Sequence, residues 1–409
     1  MGDVSLKKIQ EARSKIRALI PESPLKQSIY LSNRTGRQIA LKLENLNISG
    51  SFKIRGAFNA LLSLPKDQLS KGVVAASAGN HAQGVAYACK TMGIKATIFM
   101  PTRSSLVKAE ATRNLGGDVR LIGDSYDEAF RAAVEHQKEK GGIFIHPFAD
   151  ANVVCGQGTI GLELLDQLPE LAAVFVPIGG GGLISGIACA LKETRPDIRI
   201  IGVQASAFPS MKKSFEAGKP VKTGPAYTIA DGIAVKEPNE FTLKLIQKYV
   251  DDIILVEEPA IASAITDLME RDHLVAEGSG AVGVAAMLQT AAESWQSPAD
   301  KPVAAIISGG NIDMNLLARI TIDGQIFSGR MMRLTIDVKD RPGSLAELLE
   351  LVGGTNANIL EVRHNRHFTK THYDMVKVEL DLETIGPPHQ RQVADSLQKR
   401  GYTFEIARV

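Results

Sequence analysis

A lysine that follows a run of small residues is the part of this sequence best suited to covalent chemistry. Lys53 comes directly after the loop 48–51 and opens an amphipathic run that ends near Leu64. The spacing of apolar residues predicts a helix with Lys53 in its first turn, where the positive end of the helix dipole disfavours a cation. A lysine that loses its proton easily can attack an aldehyde as a neutral amine. A solvated surface lysine is the alternative, since the chain contains 47 Lys and Arg residues.

A second stretch, residues 77–81, follows an apolar strand and opens a helix. Backbone N–H groups at such a helix start bind anions, and the side chains of Ser77 and Asn80 add donors, so a carboxylate would fit. An ordinary helix cap is the alternative. His81 is as compatible with a structural role as with that of an acid or base, and we favour the structural role.

A run of four glycines, residues 179–182, lies between a predicted strand and a helix that starts at Leu183. Several N–H groups of such a run can converge on one phosphate. The run matches neither the dinucleotide nor the P-loop fingerprint. Because four adjacent glycines cost much chain entropy, ligand binding is favoured over a simple tight turn. Residues 308–311 form a similar but weaker turn, and no His, Cys, Asp or Glu group has metal-site spacing.

Short apolar strands that alternate with longer helices must position these stretches. The predicted strands are 38–43, 73–76, 96–100, 119–122, 143–145, 174–176, 198–203, 253–256 and 303–307. The predicted helices include 53–64, 82–92, 105–115, 126–140 and 159–168. Such alternation predicts an α/β fold in which helices cover parallel sheets on both faces. Ligands of such folds bind at the carboxyl ends of the strands, where the glycine-rich turns lie.

The pattern changes after Arg319, and residues 321–330 resemble a connector. Beyond it we predict strand 332–338, helix 345–352, strands 358–364 and 373–380, helix 389–400 and strand 403–407. The order βαββαβ is that of a small ferredoxin-like domain. The sequence therefore predicts two domains, residues 1–325 and 326–409.

Composition excludes several classes of function. A hydrophobic content of 44%, a charged content of 22% and a net charge of +2 indicate a globular protein that does not bind nucleic acid. Three scattered cysteines fit buried thiols in a reducing compartment, with the cytoplasm as the simplest location. The uncharged stretch 171–191 is long enough to span a bilayer, but its proline and glycines predict a strand, a turn and a helix. We therefore expect no membrane association.

Together these stretches resemble the fold-type II family of pyridoxal-phosphate enzymes, and within it the threonine and serine dehydratases. The matching motifs follow the family's order at 51–57, 77–81, 146–148, 156–159, 179–183, 230–235 and 308–311. Residues 331–409 resemble an ACT domain, a regulatory module that commonly binds amino acids, and 340–345 would be its first turn.

The resemblance implies pyridoxal 5'-phosphate as cofactor, joined covalently to Lys53. It places Phe52 beside the ring, Asn80 at the ring hydroxyl and Ser308 at the pyridine nitrogen. The phosphate would be held by Gly179, Gly180, Gly181, Gly182 and Leu183. The substrate carboxylate would be held by Ser77, Ala78, Gly79, Asn80 and His81, with Gly232 also in contact with the substrate. The regulatory site would comprise Asp340, Arg341, Gly343, Ser344 and Asn358.

The implied reaction is elimination of water from L-threonine to give 2-oxobutanoate and ammonia, with Lys53 as the base at the α-carbon. A serine at position 308 would leave the pyridine nitrogen neutral, which makes the ring a milder electron sink. A serine-preferring dehydratase is the alternative, because one methyl group is worth only about 1–3 kcal/mol in an apolar pocket. A non-catalytic amino-acid sensor is a further alternative, disfavoured by the intact Lys53 and glycine run.

Two departures from the related serine racemases bear on the subtype. Ala78 replaces the serine that protonates the opposite face of the α-carbon in those enzymes, so we expect weak racemisation. The stretch 204–210 lacks the carboxylates that hold a divalent cation there, so we predict no metal site. The expected partners are an amino-acid substrate, a branched-chain amino-acid effector and further copies of the chain, as a dimer or tetramer.

Overall fold

The protein is described by a computed structural model of residues 3–366 and 372–407. The chain divides into two compact units, Met1–Ile312 and Asp313–Val409. The helix Met314–Phe327 is counted with the second unit, whereas the sequence placed the domain boundary near 325. The exact end of the catalytic domain therefore stays a prediction.

The larger sheet of the first unit has six strands. Their order across the sheet is Leu25–Gln27, Ile39–Leu43, Val303–Ile307, Ala173–Pro177, Arg199–Ala205 and Asp252–Val256. All neighbours are parallel except the first pair, which is antiparallel. Sequence analysis missed the edge strand Leu25–Gln27, because three residues are too few to show an alternating pattern.

The smaller sheet of the same unit has four parallel strands. Their order is Gly117–Leu121, Ala96–Met100, Val73–Ala76 and Ile143–Phe144. The strands Val73–Ala76 and Ala96–Met100 are buried along their whole length, as expected for parallel strands with covered faces. The predicted α/β class with parallel sheets is confirmed.

Helices join the strands of the first unit close to the predicted positions. Their bounds are Leu6–Ile16, Ile29–Thr35, Lys53–Leu62, Lys66–Leu69, Asn80–Thr91, Leu106–Asn114, Tyr126–Lys140, Ala151–Gln167, Gly182–Thr194, Ser210–Ala217, Glu240–Tyr249, Glu258–Arg271 and Gly278–Gln289. Short 3-10 turns occur at Glu44–Leu46, Asp231–Ile233 and Ala292–Trp295. Across residues 3–366 and 372–407, no helix combines the length and the apolar character that a bilayer crossing requires.

The helix predicted at 159–168 starts earlier than expected, at Ala151. The side chain of Asp150 accepts hydrogen bonds from the N–H groups of Asn152 and Val153, which makes it an N-cap. Sequence analysis overlooked this cap because the following run is rich in glycine and lacks a polar face.

The second unit contains a four-stranded antiparallel sheet. The strand order is Asn358–Asn365, Met375–Glu383, Met331–Lys339 and Thr403–Ile406. Two helices, Ser344–Gly353 and Pro387–Lys399, separate the strands along the chain. The observed order from Met331 onward is therefore β-α-β-β-α-β, as the sequence indicated.

The prediction that residues 321–330 form a connector is wrong over most of that stretch. The helix Met314–Phe327 continues through it, and only its last few residues lie outside. Asp313 caps this helix by accepting hydrogen bonds from the N–H groups of Asn315 and Leu316. Gly324 misled the interpretation, because a helix tolerates an isolated glycine at a cost of about 1 kcal/mol.

A buried network of charged side chains surrounds Arg55, two residues beyond Lys53. The Arg55 guanidinium donates to Glu44 at 2.8 Å and to Glu163 at 2.5 Å. Lys42 completes the network, with its Nζ 2.5 Å from a Glu163 oxygen. Two cations and two anions balance, and all four residues are buried. The network thereby joins the lysine helix to the strand Ile39–Leu43 and the helix Ala151–Gln167.

Replacing Arg55 by methionine should destabilise the first unit, because its two glutamate partners would stay buried without their main cation. Removing one member of a buried ion pair costs about 3–5 kcal/mol. Urea unfolding measures the loss in the free energy of unfolding. The fluorescence of Trp295 reports on it, because this residue is the only tryptophan in the chain and is buried in the first unit. Arg103→Met is the matched control, because its ion pair with Asp124 is exposed. Equal stability losses in the two variants would contradict this account of the network.

Candidate active site

Lys53 is the first residue of the helix Lys53–Leu62, as the sequence predicted. Its Nζ donates a hydrogen bond to the carbonyl oxygen of Pro147 at 3.0 Å and lies 5.0 Å from the centre of the Phe52 ring. Burial lowers the pKa of the Lys53 amine to about 8, while the Glu277 carboxylate acts in the opposite direction. The cause of the lowered pKa is therefore chiefly burial, rather than the helix dipole that sequence analysis invoked.

Two histidines close to Lys53 are neutral at physiological pH. Burial, reinforced by the positive charge of Lys53, lowers the pKa of His81 to about 3 and that of His146 to about 4. His81 Nε2 donates to the carbonyl oxygen of Ile145 at 2.9 Å. His146 Nδ1 accepts the N–H groups of Phe148 and Ala149, so its ring proton resides on Nε2. Neither histidine therefore places a second positive charge beside the Lys53 amine.

The glycine run forms a cradle directly before the helix Gly182–Thr194. Gly181 has a φ of +89°, which favours glycine, and a Cβ at Gly180 would lie 2.3 Å from a ring carbon of Phe148. Within the described chain, no hydrogen-bond acceptor is recorded for the backbone N–H groups of residues 179–182. A concave backbone with free N–H groups at a helix start is suited to a phosphate. The cradle therefore fits the phosphate of the cofactor that the sequence predicted.

The loop before Lys53 is fastened to the end of the strand Val303–Ile307. The Phe52 N–H donates to the Ser308 carbonyl oxygen at 3.1 Å, and Ser51 forms an antiparallel bridge with Gly309. Ser308 is buried, and its Oγ donates to the Ser279 carbonyl oxygen at 3.3 Å. Phe52, Lys53 and Ser308, which the sequence placed at one site, are therefore held together through the backbone.

Asn80 lies at the start of its helix and is hydrogen-bonded on both sides of its amide. Its Nδ2 donates to Glu277 Oε1 at 2.7 Å, and its Oδ1 accepts from Asn311 Nδ2 at 2.6 Å. Ser279 Oγ also donates to Glu277 Oε1, at 2.6 Å. Burial, with the nearby charge of Asp231, raises the pKa of Glu277.

Sequence reasoning missed Glu277 because it belongs to none of the stretches chosen for their chemistry. One local signal could have found it. The carboxylate directly precedes the small residues Gly278, Ser279 and Gly280, at the start of the apolar helix Gly278–Gln289. An acidic side chain beside three small residues, ahead of a buried helix, indicates a carboxylate enclosed by backbone.

The remaining predicted substrate residues lie around the same site. The N–H of Gly79 donates to Ser77 Oγ at 3.2 Å, and Ala78 and Gly79 are half-buried. A Cβ at Gly232 would lie 2.6 Å from Ser279 Oγ, and one at Gly179 would lie 3.0 Å from the Cα of Ile233. The last two contacts connect residues 232–233 to the Glu277 region and to the glycine cradle, and the hydrogen bond from Asn80 to Glu277 joins the helix start to them.

The second unit has a cavity of about 480 Å³ at the turn that the sequence singled out. Its lining residues are Val338, Lys339, Asp340, Arg341, Pro342, Gly343, Ser344, Leu345, His364, Arg366 and Val376. Asn358, also predicted as regulatory, is not among them and donates to Glu383 at 3.0 Å instead. Four of the five predicted regulatory residues therefore share one cavity.

The described residues, 3–366 and 372–407, contain no group of three or more His, Cys, Asp or Glu side chains arranged to hold a metal ion. The three cysteines are buried and free.

A buried lysine with a lowered pKa and a glycine cradle that fits a phosphate are attributes expected of an enzyme that uses a pyridoxal cofactor. Residues 16–309 match the family model described as pyridoxal-phosphate dependent enzyme, and the chain belongs to that family. It is 46% identical to the L-threonine ammonia-lyase of Thermotoga maritima over 403 residues, which cover 98% of this chain and 99% of the relative.

Solved structures extend the comparison. Threonine deaminase isoform 2 from Solanum lycopersicum has a TM-score of 0.73 and 39% identity, covering 80% of this chain and 90% of its own. Maize serine racemase has a TM-score of 0.74 and 35% identity, covering 79% of this chain and 98% of its own. The resemblance to fold-type II pyridoxal-phosphate enzymes is therefore confirmed at the level of the family.

Gly180→Ala should weaken binding of pyridoxal 5'-phosphate. The new methyl group would meet the Phe148 ring and push apart the N–H groups of the cradle. We expect a loss of at least tenfold in affinity, or about 1.4 kcal/mol, in an absorbance titration of the apo-protein. Gly224→Ala is the control, because nothing lies within 4 Å of its added Cβ. Unchanged affinity in the Gly180 variant would rule out the cradle as the phosphate site.

Proposed function

We propose that this protein eliminates water from L-threonine to give 2-oxobutanoate and ammonia, with pyridoxal 5'-phosphate as cofactor. The observation that carries the proposal is the 46% identity to an L-threonine ammonia-lyase over 98% of the chain. The site adds independent support, because its buried amine and glycine cradle suit the same cofactor. A steady-state assay of oxo-acid formation from threonine and from serine tests the proposal directly. Faster turnover of serine would favour the alternative dehydratase.

The roles proposed for individual residues follow from their positions. The cofactor, when bound, draws electrons from the α-carbon of the amino acid. Lys53 binds the cofactor and takes the α-proton, since an amine with a pKa of about 8 can both accept and release a proton near neutrality. The N–H groups of Gly179, Gly180, Gly181, Gly182 and Leu183 hold the phosphate. Phe52, Asn80 and Ser308 fix the orientation of the ring.

The start of the helix Asn80–Thr91 would hold the substrate carboxylate. Its first N–H groups have no partner within the helix, and Ser77 lies in the turn just before it. The methyl group of Ala78 cannot deliver a proton to the opposite face of the α-carbon. Elimination rather than racemisation is therefore the favoured outcome, although a racemase shares the fold.

Lys53→Ala should abolish threonine dehydration while the first unit stays folded. Loss of the general base alone removes about 10²–10⁴-fold in rate, and loss of the covalent link adds to this. Oxo-acid release measures activity, and Trp295 fluorescence reports on folding. Lys66→Ala, at an exposed lysine nearby, should behave as wild type. Appreciable turnover by the Lys53 variant without added amine would refute the catalytic assignment.

We also propose that the second unit is an ACT-like domain, with a ferredoxin-like arrangement, that binds a branched-chain amino acid. The β-α-β-β-α-β order and the cavity at 338–345 support this. Arg341 and the N–H groups at the start of the helix Ser344–Gly353 suit a carboxylate, and Val338, Leu345 and Val376 suit a branched side chain. Since ACT domains pair across subunits, we further propose a dimer or tetramer whose activity responds as a whole.

Isoleucine or valine should bind to the full-length protein and change its activity or assembly. The expected coupling is on the order of 1–3 kcal/mol, in either direction. Calorimetry measures binding, and threonine turnover with and without the effector measures coupling. Arg341→Ala should weaken both the binding of the effector and its coupling to turnover. Arg400→Ala is the control, because Arg400 is exposed and does not line the cavity. If calorimetry detects no binding of either amino acid, the domain serves only to join subunits.

A further inference from the structure

Glu277 is a buried carboxylate without an ion-pair partner. Its exposed fraction is 5%, and in the described chain no ion pair includes it. Its recorded side-chain partners are the amide of Asn80 and the hydroxyl of Ser279, which both donate to Oε1. Burying a charge that is not paired is costly unless its site is built for it. The position therefore calls for a reason beyond packing.

Glycine backbone approaches the Glu277 carboxylate closely. A Cβ at Gly309 would lie 2.5 Å from Glu277 Oε1 and 3.0 Å from Asn80 Nδ2. A Cβ at Gly232 would lie 2.6 Å from Ser279 Oγ and 3.4 Å from Glu277 Oε1. Two glycines from separate parts of the chain therefore enclose the Glu277–Asn80 contact.

The contact decides which way the Asn80 amide faces. A carboxylate accepts and does not donate, so the amide nitrogen must point to Glu277. Asn311 donates to the amide oxygen from the other side, which excludes the flipped orientation. An amide nitrogen has two hydrogens, and Glu277 uses one of them. The second N–H of Asn80 is left to face a bound group.

We propose that Glu277 is a positioning residue for the elimination: it holds the Asn80 amide in the orientation that faces the cofactor. The proposal rests on the function proposed above. The same carboxylate also opposes the effect of burial on the pKa of Lys53, so a change at Glu277 should be felt at Lys53 as well. One carboxylate would thus act on both Asn80 and Lys53.

Two substitutions separate the orienting contact with Asn80 from the effect of the negative charge on Lys53. Glu277→Gln keeps an oxygen that can accept from Asn80 but removes the charge. Glu277→Asp keeps the charge but shortens the side chain, so the oxygen no longer reaches the amide. Glu257→Gln is the matched control, because Glu257 is an exposed glutamate that accepts from Ser206 Oγ at 2.8 Å, as Glu277 accepts from a serine.

The first measurement is the pH dependence of Lys53 acetylation in the apo-protein, followed by mass spectrometry. In the wild type its midpoint should lie near pH 8. A nearby negative charge raises the pKa of an amine, so removing it in Glu277→Gln should move the midpoint to lower pH, by roughly one unit. Glu277→Asp and Glu257→Gln should leave the midpoint near its wild-type value.

The second measurement is the affinity of the apo-protein for pyridoxal 5'-phosphate, followed by absorbance. The Glu277→Asp variant should bind pyridoxal 5'-phosphate about tenfold more weakly, which is the effect of one misdirected hydrogen bond. The affinity of the Glu277→Gln variant should fall by less. If neither the acetylation midpoint nor the affinity changes in variants with native Trp295 fluorescence, Glu277 is only a packing residue and the proposal is wrong. Neither measurement uses threonine, so failure of the proposed reaction would leave both results interpretable. If the glutamine variant does not fold, the aspartate variant still decides the orienting role.

Discussion

The start of the lysine helix is held in place by charges that have been removed from water. Arg55 reaches Glu44 after one strand and Glu163 within another helix, and these groups are stable in the interior only while all partners are present. The three elements therefore cannot shift independently. Because Lys53 lies two residues before Arg55, its burial and the resulting drop in pKa depend on that anchoring.

Close backbone contacts extend this constraint across the site. The loop before Lys53 pairs with the residues after the strand Val303–Ile307, and glycines allow the Glu277 region to approach both. The site is thus lined largely by main chain, with few charged side chains. The two neutral histidines keep the number of cations in the site low, which suits an amine that must exchange a proton near neutral pH.

Elements with local signals could be predicted from the sequence, and several were placed to the residue. The helix Tyr126–Lys140 has a serine cap, and the strands Ala96–Met100 and Val303–Ile307 are continuous apolar runs. The motifs at 53, 77–81 and 179–183 also have local signals, so the sequence alone indicated which stretches form the site. Contacts between distant residues could not be predicted: Glu277 meets Asn80 across 197 residues, and nothing near either residue specifies the other. The Arg55 network escaped notice because a charged residue is by default interpreted as exposed.

The hydrogen bond from the Phe52 N–H to the Ser308 carbonyl oxygen sets a distance in the site without using any side chain. Lys53, which we propose binds the cofactor, and Ser308, which we propose faces its ring nitrogen, are separated by a span that main-chain atoms define. A designer could therefore exchange the side chain at position 308, and with it the electron demand of the ring, without altering the length of the site. The side chain that influences the reaction and the main-chain distance that sets the size of the site could thus be changed independently. This makes the scaffold a favourable starting point for new lyase or transferase chemistry.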